Sequence, residues 1–337
     1  MKIFLHAGMH KTGTTTIQYT LHANREALLL KQGINYVAQY DRDELRPDHH
    51  HFSRDIAEEN WNSVERFVRK IEQTTPAGGA AILSSECFHR DAAGAHGWAA
   101  YTQPNLGQRR DTYLTNLASA LSNFEVEVIL FLRRADEYAE SVYKTMVLGG
   151  HTNDSFDEFL TKRRALFEFD SLISEFKRHF SVVRILPYGP NVMEAFCGAV
   201  GITLVDKITN KNPSVDARLI YWITQRAGFR PMAKRRRVKQ RAFVRGVDPQ
   251  QLFGLSKASF WPSKEARERF ADGYQFDFSN SFFHAAQHLE SHFAELSSID
   301  LKRIDMLWKD FNYARLPVRS AKSQNHVLSS SGAGSPH

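Results

Sequence analysis

Cysteine is scarce in this sequence, and long apolar runs are missing. The two cysteines, Cys87 and Cys197, provide neither a disulfide framework nor the spacing of a zinc site, and this scarcity is typical of a reducing compartment. No apolar stretch approaches the length that spans a bilayer, and Met1 is followed by too short an apolar run for a signal peptide. We therefore expect a cytoplasmic protein, at most peripheral to the inner face of the membrane.

The remaining composition is that of a globular protein with an excess of positive charge. Hydrophobic residues make up 42% of the 337 residues and charged residues 24%, which is enough apolar material for a sizeable core. The formal net charge is +7. An excess of this sign favours anionic partners such as nucleotides, sulfated or phosphorylated sugars, nucleic acid or acidic lipid surfaces.

Short apolar runs alternate with stretches of helical periodicity over the first 200 residues. The apolar runs predict buried strands at 3–7, 34–37, 80–83, 126–132 and 182–186. The helical stretches predict helices at 14–31, 57–74, 108–122, 136–147, 155–163, 168–179 and 191–200, with loops at 38–56 and 90–107. Strands that alternate with helices in this way predict a three-layer α/β/α fold with a central parallel sheet.

The signals for strands fade after residue 205. We expect one domain over 1–319, in which 205–319 is mainly a helical extension. The Ser- and Gly-rich residues 320–337 are predicted to form a disordered tail.

The turn between the first predicted strand and the first predicted helix has the composition of an anion site. Residues 8–16 read Gly-Met-His-Lys-Thr-Gly-Thr-Thr-Thr, so a turn with glycine opens a helix whose N–H groups and dipole favour an anion. Gly13 lets the backbone approach a ligand closely, and Thr14, Thr15 and Thr16 add hydroxyl donors. The pattern predicts a phosphate loop and, with the sheet, a fold like that of P-loop nucleoside-triphosphate hydrolases.

Two features separate this turn from a nucleoside-triphosphate site. Such a site places lysine directly after the second glycine, where this chain has Thr14, and the lysine here is Lys11. The strand at 126–132 also ends in Arg133 rather than in an acid that could hold Mg²⁺. An arginine at that strand end is suited to a second anionic group.

Lys11-Thr12-Gly13-Thr14-Thr15 resembles the 5′-phosphosulfate loop of sulfotransferases that use PAPS (3′-phosphoadenosine 5′-phosphosulfate), particularly the bacterial and carbohydrate (heparan-type) members. The resemblance implies that Lys11 contacts the donor and protonates or stabilises the departing phosphate oxygen. It also implies that Thr12, Gly13 and the threonines Thr14, Thr15 and Thr16 bind the 5′-phosphate. The donor product would be PAP, and no metal would be required.

The same family requires a site for the 3′-phosphate, made by an arginine at a strand end and a serine eight residues later. Arg133 and Ser141 match this spacing. A guanidinium binds phosphate in a bidentate manner, and the helix would place the hydroxyl near the strand end. Arg134 is an alternative, because neighbouring side chains at a strand end point in opposite directions.

The resemblance covers the N-terminal half of the predicted sheet and the helix and strand that end near Tyr188. The Gly-rich 3′-phosphate loop near the C-terminus of the cytosolic animal enzymes is not found in this sequence. The residues that hold the adenine are therefore left open.

Transfer of a sulfuryl group also needs a base for the acceptor proton. Glu86 follows the predicted strand at 80–83, and the carbohydrate enzymes use a glutamate, so Glu86 is the first candidate, with a structural salt bridge as the alternative. His10 adjoins Lys11 and could contact donor or acceptor. His89 is a second candidate for the base, and His6 on the first strand is a weak one.

The acceptor is not specified by the sequence, although the resemblance favours a carbohydrate or glycolipid. The basic stretch 230–245 could hold an anionic acceptor or contact a membrane surface, and its simpler interpretation is a solvated face. Residues 49–51 are three consecutive histidines, for which a polar loop with one histidine near the acceptor is favoured over a metal site.

Two other functions stay open at this point. A P-loop kinase using ATP and Mg²⁺ shares the strand, turn and helix, with Glu86 as a metal-binding acid. A non-enzymatic polyanion-binding protein would use the basic stretch, although no nucleic-acid partner is expected from the phosphate-loop pattern.

Overall fold

A computed structural model describes residues 1–37, 47–93, 97–102, 104–206, 215–226, 240, 242–247, 259–261, 263–272, 302, 304 and 306–308. The predicted tail 320–337 and most of the basic stretch 230–245 lie outside the described residues. Of the basic side chains in that stretch, Arg245 falls within them.

Five strands in the described part of the chain form one parallel sheet in the order β2-β3-β1-β4-β5. Their bounds are β1 Lys2–His6, β2 Ile34–Tyr36, β3 Ala80–Ser84, β4 Glu125–Leu132 and β5 Val182–Pro187. β1 pairs with β3 on one side and β4 on the other, so that Leu5 lies level with Leu83 and Val128. The predicted parallel sheet is confirmed, and each predicted strand is present to within two residues.

Helices connect these strands, as parallel neighbours require. The first nine are α1 Thr14–Gln32, α2 His50–Ala57, α3 Trp61–Thr74, α4 Cys87–Arg90, α5 Leu106–Ala120, α6 Ala135–Gly149, α7 Phe156–Lys162, α8 Phe169–His179 and α9 Val192–Val200. The helices α10 Ala217–Arg226 and α11 Lys264–Asp272 lie in the C-terminal region, where residues 242–246 are also helical. Short 3₁₀ helices lie at Asp91–Ala93, Gly97–Thr102 and Arg164–Leu166.

The sheet is covered on both faces, because strand side chains alternate between them. On one face Phe4 and Ile82 pack with Ile17 of α1 and Phe196 of α9. The opposite face includes Leu5 and packs against a larger set of helices that supply Phe52, Phe67, Leu114, Tyr138 and Phe176. The three-layer arrangement follows from these two apolar clusters.

One prediction about the first half of the chain is wrong. Residues 38–56 were expected to form a loop, but α2 begins at His50 within them. Phe52, Ser53 and Ile56 are buried at helical spacing, and this short apolar stripe is hard to recognise beside the polar histidine run. The helix predicted at 57–74 begins only at Trp61, after Glu59 adopts a left-handed φ of 55° that ends α2.

Within the described ranges, no helix is both long enough and apolar enough to cross a membrane. The same residues contain no group of three or more His, Cys, Asp or Glu side chains arranged to hold a metal ion.

Candidate functional site

The sheet topology selects the carboxyl end of β1 as the place for a ligand. The chain leaves β1 for β2 and β3 on one side and later returns to β4 and β5 on the other. In open parallel sheets, ligands bind beyond the carboxyl ends of the strands where the strand order reverses. Three predicted site residues follow strand ends at this edge: Lys11 after β1, Glu86 after β3 and Arg133 after β4.

The β1–α1 turn, residues 7–13, contains two residues with left-handed backbone conformation. Lys11 has φ 65° and Gly13, the N-cap of α1, has φ 78°. Gly13 is the natural residue there, because left-handed φ is strained for a side chain with Cβ. Lys11 adopts it without that advantage, and such outliers concentrate at ligand sites. The turn thereby directs the first N–H groups of α1 toward the strand ends.

Two threonine hydroxyls of this turn form hydrogen bonds within it. The hydroxyl groups of Thr12 and Thr14 both donate to the main-chain oxygen of Met9, at 2.6 Å and 3.3 Å. These bonds hold the turn together, and of the three hydroxyls predicted to donate to an anion, that of Thr14 is engaged in one of them. Thr15 and Thr16 are half-buried in the first turn of α1. The backbone N–H groups, rather than the Thr12 and Thr14 hydroxyls, are the donors best placed for an anion.

Close packing leaves little freedom in the turn. A Cβ atom built on Gly8 would lie 2.7 Å from Oγ1 of Thr14 and 2.8 Å from Nε2 of His6. A Cβ on Gly13 would lie 3.0 Å from Cγ1 of Val192. Steric reasons therefore favour glycine at both positions, and at Gly13 the left-handed φ adds a conformational reason.

Lys11 has an exposed side chain and lies near other positive charges. Partial burial of its ammonium is the largest influence on the Lys11 pKa, followed by the charges of Arg245 and Arg133, and together they lower it. The charge of Glu86 acts in the opposite direction. A site in which cations repel one another is stabilised by an anionic ligand.

Arg133 joins the end of β4 to the β1–α1 turn. Its Nη1 donates to the main-chain oxygen of Lys11 at 3.2 Å, and its Nε donates to Oε2 of Glu137 at 3.1 Å. The guanidinium also lies over the ring of Tyr188, 5.1 Å from the centroid. These contacts orient the guanidinium beside the turn.

The guanidinium of Arg134 pairs with an acidic residue of α6 and not with the β1–α1 turn. Its Nε and Nη2 donate to the two carboxylate oxygens of Asp136, at 2.6 Å and 2.9 Å. Arg267 of α11 also pairs with Asp136 and, at 3.3 Å, with Glu137. The two adjacent arginines are thus separated, and the one near Lys11 is Arg133.

Ser141 lies seven residues into α6 and is half-buried. Its main-chain oxygen accepts from the hydroxyl of Thr145 at 3.0 Å. The helix begins at Ala135, two residues after Arg133, so Ser141 lies on the helix that follows the arginine.

Glu86 is held by a set of polar contacts at the end of β3. Its Oε2 lies 3.0 Å from Nε2 of His50 and accepts from Nε2 of Gln18 at 3.2 Å. The Nδ1 of His50 lies 3.0 Å from Oδ1 of Asp48. Burial alone would raise the pKa of Glu86, but the contact with His50 and its charge outweigh burial and hold it well below the ordinary value. Glu86 is therefore ionised at neutral pH.

His10 lies beside this carboxylate and against an aromatic ring. Its ring centroid is 4.7 Å from that of Trp98, and Nε2 has no hydrogen-bond partner among the described residues. Burial lowers the pKa of His10 to about 4, with the charge of Glu86 opposing the shift. The imidazole is neutral at physiological pH, and its Nε2 is buried.

The other two histidine candidates are packed within the protein. His6 is fully buried, with Nδ1 2.8 Å from Oγ of Ser84, and burial lowers its pKa to about 4. His89 is also buried, 3.5 Å from the hydroxyl of Tyr101, and its pKa is lowered well below the ordinary value by burial. Both side chains are therefore removed from solvent.

The histidine run divides into different environments. His49 is buried and accepts at Nδ1 from the N–H of Ser84 at 2.9 Å, while Nε2 donates to the main-chain oxygen of Val37 at 2.8 Å. His50 pairs with Glu86. Asp48 is not among the predicted site residues, and the prediction that one histidine of the run lies near the acceptor does not identify His50. The histidine run was the available signal, but only the fold brings it to Glu86.

Two grooves are described away from this edge of the sheet. One, of about 570 Å³, opens at the amino ends of the strands beside Lys2 and Glu125. The other, of about 320 Å³, lies between α2 and α5 beside Asp91 and Tyr113. Neither is lined by residues of the β1–α1 turn.

No protein-family model and no curated protein sequence matches this chain. A function for the candidate site must therefore be inferred from its residues and geometry.

Proposed function

We propose that this protein is a PAPS-dependent sulfotransferase with a P-loop type fold, which moves a sulfuryl group from PAPS to a hydroxyl or amine of an acceptor. The observation that carries the proposal is the hydrogen bond from Arg133 to the main-chain oxygen of Lys11. It brings together two cationic side chains from different strand ends, one for each phosphate group of the donor. An acid in place of Arg133 would instead favour a metal-bound nucleotide.

The donor would lie across the carboxyl ends of β1 and β4. The N–H groups at the start of α1 would bind its 5′-phosphate, and Lys11 would face the oxygen that bridges phosphorus and sulfur. Arg133, with Ser141 on α6, would bind the 3′-phosphate. The pair between Arg133 and Glu137 does not cancel the positive charge, because Arg267 also neutralises Glu137.

The transfer is an in-line substitution at sulfur. The acceptor oxygen or nitrogen forms a bond to sulfur, the bond from sulfur to the bridging oxygen breaks, and its electron pair stays on the 5′-phosphate of PAP. Lys11 stabilises that oxygen or protonates it, and Glu86 takes the proton that the acceptor loses. His10 directly precedes Lys11 in the chain, and the charge of Glu86 acts on it, so its imidazole would form a hydrogen bond with the acceptor.

The proposed acceptor is a carbohydrate or glycolipid. Trp98 supports this choice, since its ring lies against His10, one residue from Lys11. Aromatic rings with a few convergent polar groups are the usual walls of small-molecule sites. Arg245, whose charge reaches Lys11, would favour an acceptor that carries anionic groups of its own.

The first test is a calorimetric titration of the purified protein with PAP in EDTA, with ATP as the comparator in EDTA and in Mg²⁺. We expect PAP to bind at least about tenfold more tightly than ATP, because Arg133 and Ser141 would contact the 3′-phosphate that ATP lacks. Binding of ATP only in Mg²⁺, with no PAP binding, would instead identify a kinase. Salt-dependent binding of DNA with affinity for neither nucleotide would indicate a polyanion-binding protein.

A further inference from the structure

We propose that Asp48, His50 and Glu86 act as one unit, in which the His50 imidazolium positions the Glu86 carboxylate and keeps it ionised to receive the acceptor proton. This inference rests on the proposed function. His50 is a positioning residue in this scheme, and Glu86 is the group that meets the acceptor.

The geometry of the unit is a carboxylate–imidazole–carboxylate chain. Each ring nitrogen of His50 lies 3.0 Å from a carboxylate oxygen, Nδ1 from Asp48 and Nε2 from Glu86. The main-chain N–H of His50 also donates to Oδ1 of Asp48 at 3.2 Å. Oε2 of Glu86 lies off the N–H direction of Nε2, so this contact is an ion pair without good hydrogen-bond geometry. Gln18 donates to the same oxygen and restrains it from the α1 side.

The unit is partly enclosed, which strengthens the pairing. The side chains of Asp48, His50 and Glu86 expose 16%, 24% and 17% of their surface, so solvent screens them less than it screens surface ion pairs. Burial alone would lower the pKa of His50, but Asp48, Cys87 and Glu86 outweigh it and raise the pKa well above its ordinary value. An imidazolium therefore persists between the two carboxylates at neutral pH.

Other titratable groups face Glu86 from every element that packs around it. They are His6, His10 and Lys11 from β1 and the turn after it, Tyr36 from β2, Asp48 and His50 from the start of α2, and Cys87 and Arg90 from α4. His6 and His10 are neutral at physiological pH, because burial lowers the pKa of each to about 4. His50 is therefore the cation in direct contact with Glu86.

The proton step balances within this unit. Before transfer the three groups carry one net negative charge: two carboxylates and one imidazolium. Glu86 then accepts the acceptor proton and becomes neutral, while Asp48 and the imidazolium remain as a neutral pair. The unit thus gains one proton without leaving an unpaired charge at the site, which would be costly in a partly buried position.

The test compares His50→Gln with the wild-type protein by the pH dependence of kcat/KM for sulfate transfer. Glutamine keeps a polar group near Asp48 but has no charge, so burial should raise the Glu86 pKa toward neutral pH. Between about pH 8 and about pH 5.5 we expect kcat/KM of the variant to fall by more than about tenfold and that of the wild type by less than about twofold. Asp48→Asn should shift the profile in the same direction by a smaller amount.

His51→Gln is the matched control, since it changes the next histidine of the same helix. Its profile should follow the wild type, and PAP affinity and thermal unfolding should show that each variant is folded. An identical profile for the wild type and His50→Gln, or for Asp48→Asn if His50→Gln does not fold, would overturn the inference. Failure of the wild type to bind PAP is a different result, because it would reject the proposed function itself.

Discussion

Nη1 of Arg133 donates to the main-chain oxygen of Lys11 across 3.2 Å, and this bond connects the ends of two neighbouring parallel strands. The two residues are 122 positions apart in sequence. The contact between them therefore depends on the pairing of β1 with β4.

The first prediction compares the adjacent arginines at the end of β4. Arg133→Ala should weaken PAP binding by about 10- to 100-fold, because it removes a charged donor to phosphate. Arg134→Ala should change PAP affinity by less than about twofold, since this guanidinium is held by Asp136. Calorimetric titration of both variants checks the prediction. Equal losses would show that the donor does not lie beside the Arg133–Lys11 bond.

The second prediction separates the backbone of Lys11 from its side chain. Glycine adopts a φ of 65° readily, so Lys11→Gly should change the free energy of unfolding by less than about 1 kcal/mol. The rate of sulfate transfer should nevertheless fall by about 100-fold or more, because the charge that stabilises the departing oxygen is lost. Chemical denaturation and a transfer assay measure the two effects. A rate close to wild type would remove Lys11 from the proposed mechanism.

The third prediction concerns Gly13 at the start of α1. Gly13→Ala should lower the free energy of unfolding by about 1–2 kcal/mol, because Cβ is strained at φ 78° and would lie 3.0 Å from Val192. Gly198→Ala in α9 is the control: its added Cβ would contact no atom within 4 Å. That variant should be neutral or slightly stabilised, as alanine favours a helix. Thermal unfolding of each variant measures the effect. If both variants are equally stable, the strain inferred for a side chain at position 13 is contradicted.

The fourth prediction is a loss of stability in weak acid. The pKa of His6 and of His10 is about 4 in the folded protein, against about 6.5 when unfolded, so the unfolded chain binds more protons between these values. The free energy of unfolding should fall as pH is lowered from about 6.5 toward 4, by up to about 3 kcal/mol for each group. His50 does not oppose this fall, because its raised pKa adds stability that is complete below pH 6.5 and is lost only as pH rises.

His6→Asn provides the comparison for this effect. Asparagine preserves a polar group near Oγ of Ser84 but does not titrate. The free energy of unfolding, measured in urea, should fall between about pH 6.5 and about pH 5 in both proteins. The fall should be smaller in His6→Asn than in the wild type, by more than about 1 kcal/mol. The same fall in both proteins would show that His6 is not the buried neutral histidine described above.

Much of the sheet could be predicted from local sequence. The runs before Gly8 and before Arg133 are apolar and flanked by clear turn or charged residues, so their strands and the helices that follow were predicted to within two residues. α2 was missed because its apolar stripe has few residues and lies among histidines. Arg133 and Arg134 could not be distinguished, since alternation at a strand end allows either to face the turn.

The strand–turn–helix pattern, with its glycines and the positive side chains after the strands, can be predicted from local sequence, because it depends on short-range backbone preferences. Which charges come into contact depends on the tertiary structure. The parallel pairing of β1 with β3 and β4 brings Lys11, Glu86 and Arg133 to one edge, and α2 brings His50 to Glu86 from 36 positions away. Ion pairs depend on distances across the fold, which local periodicity does not encode.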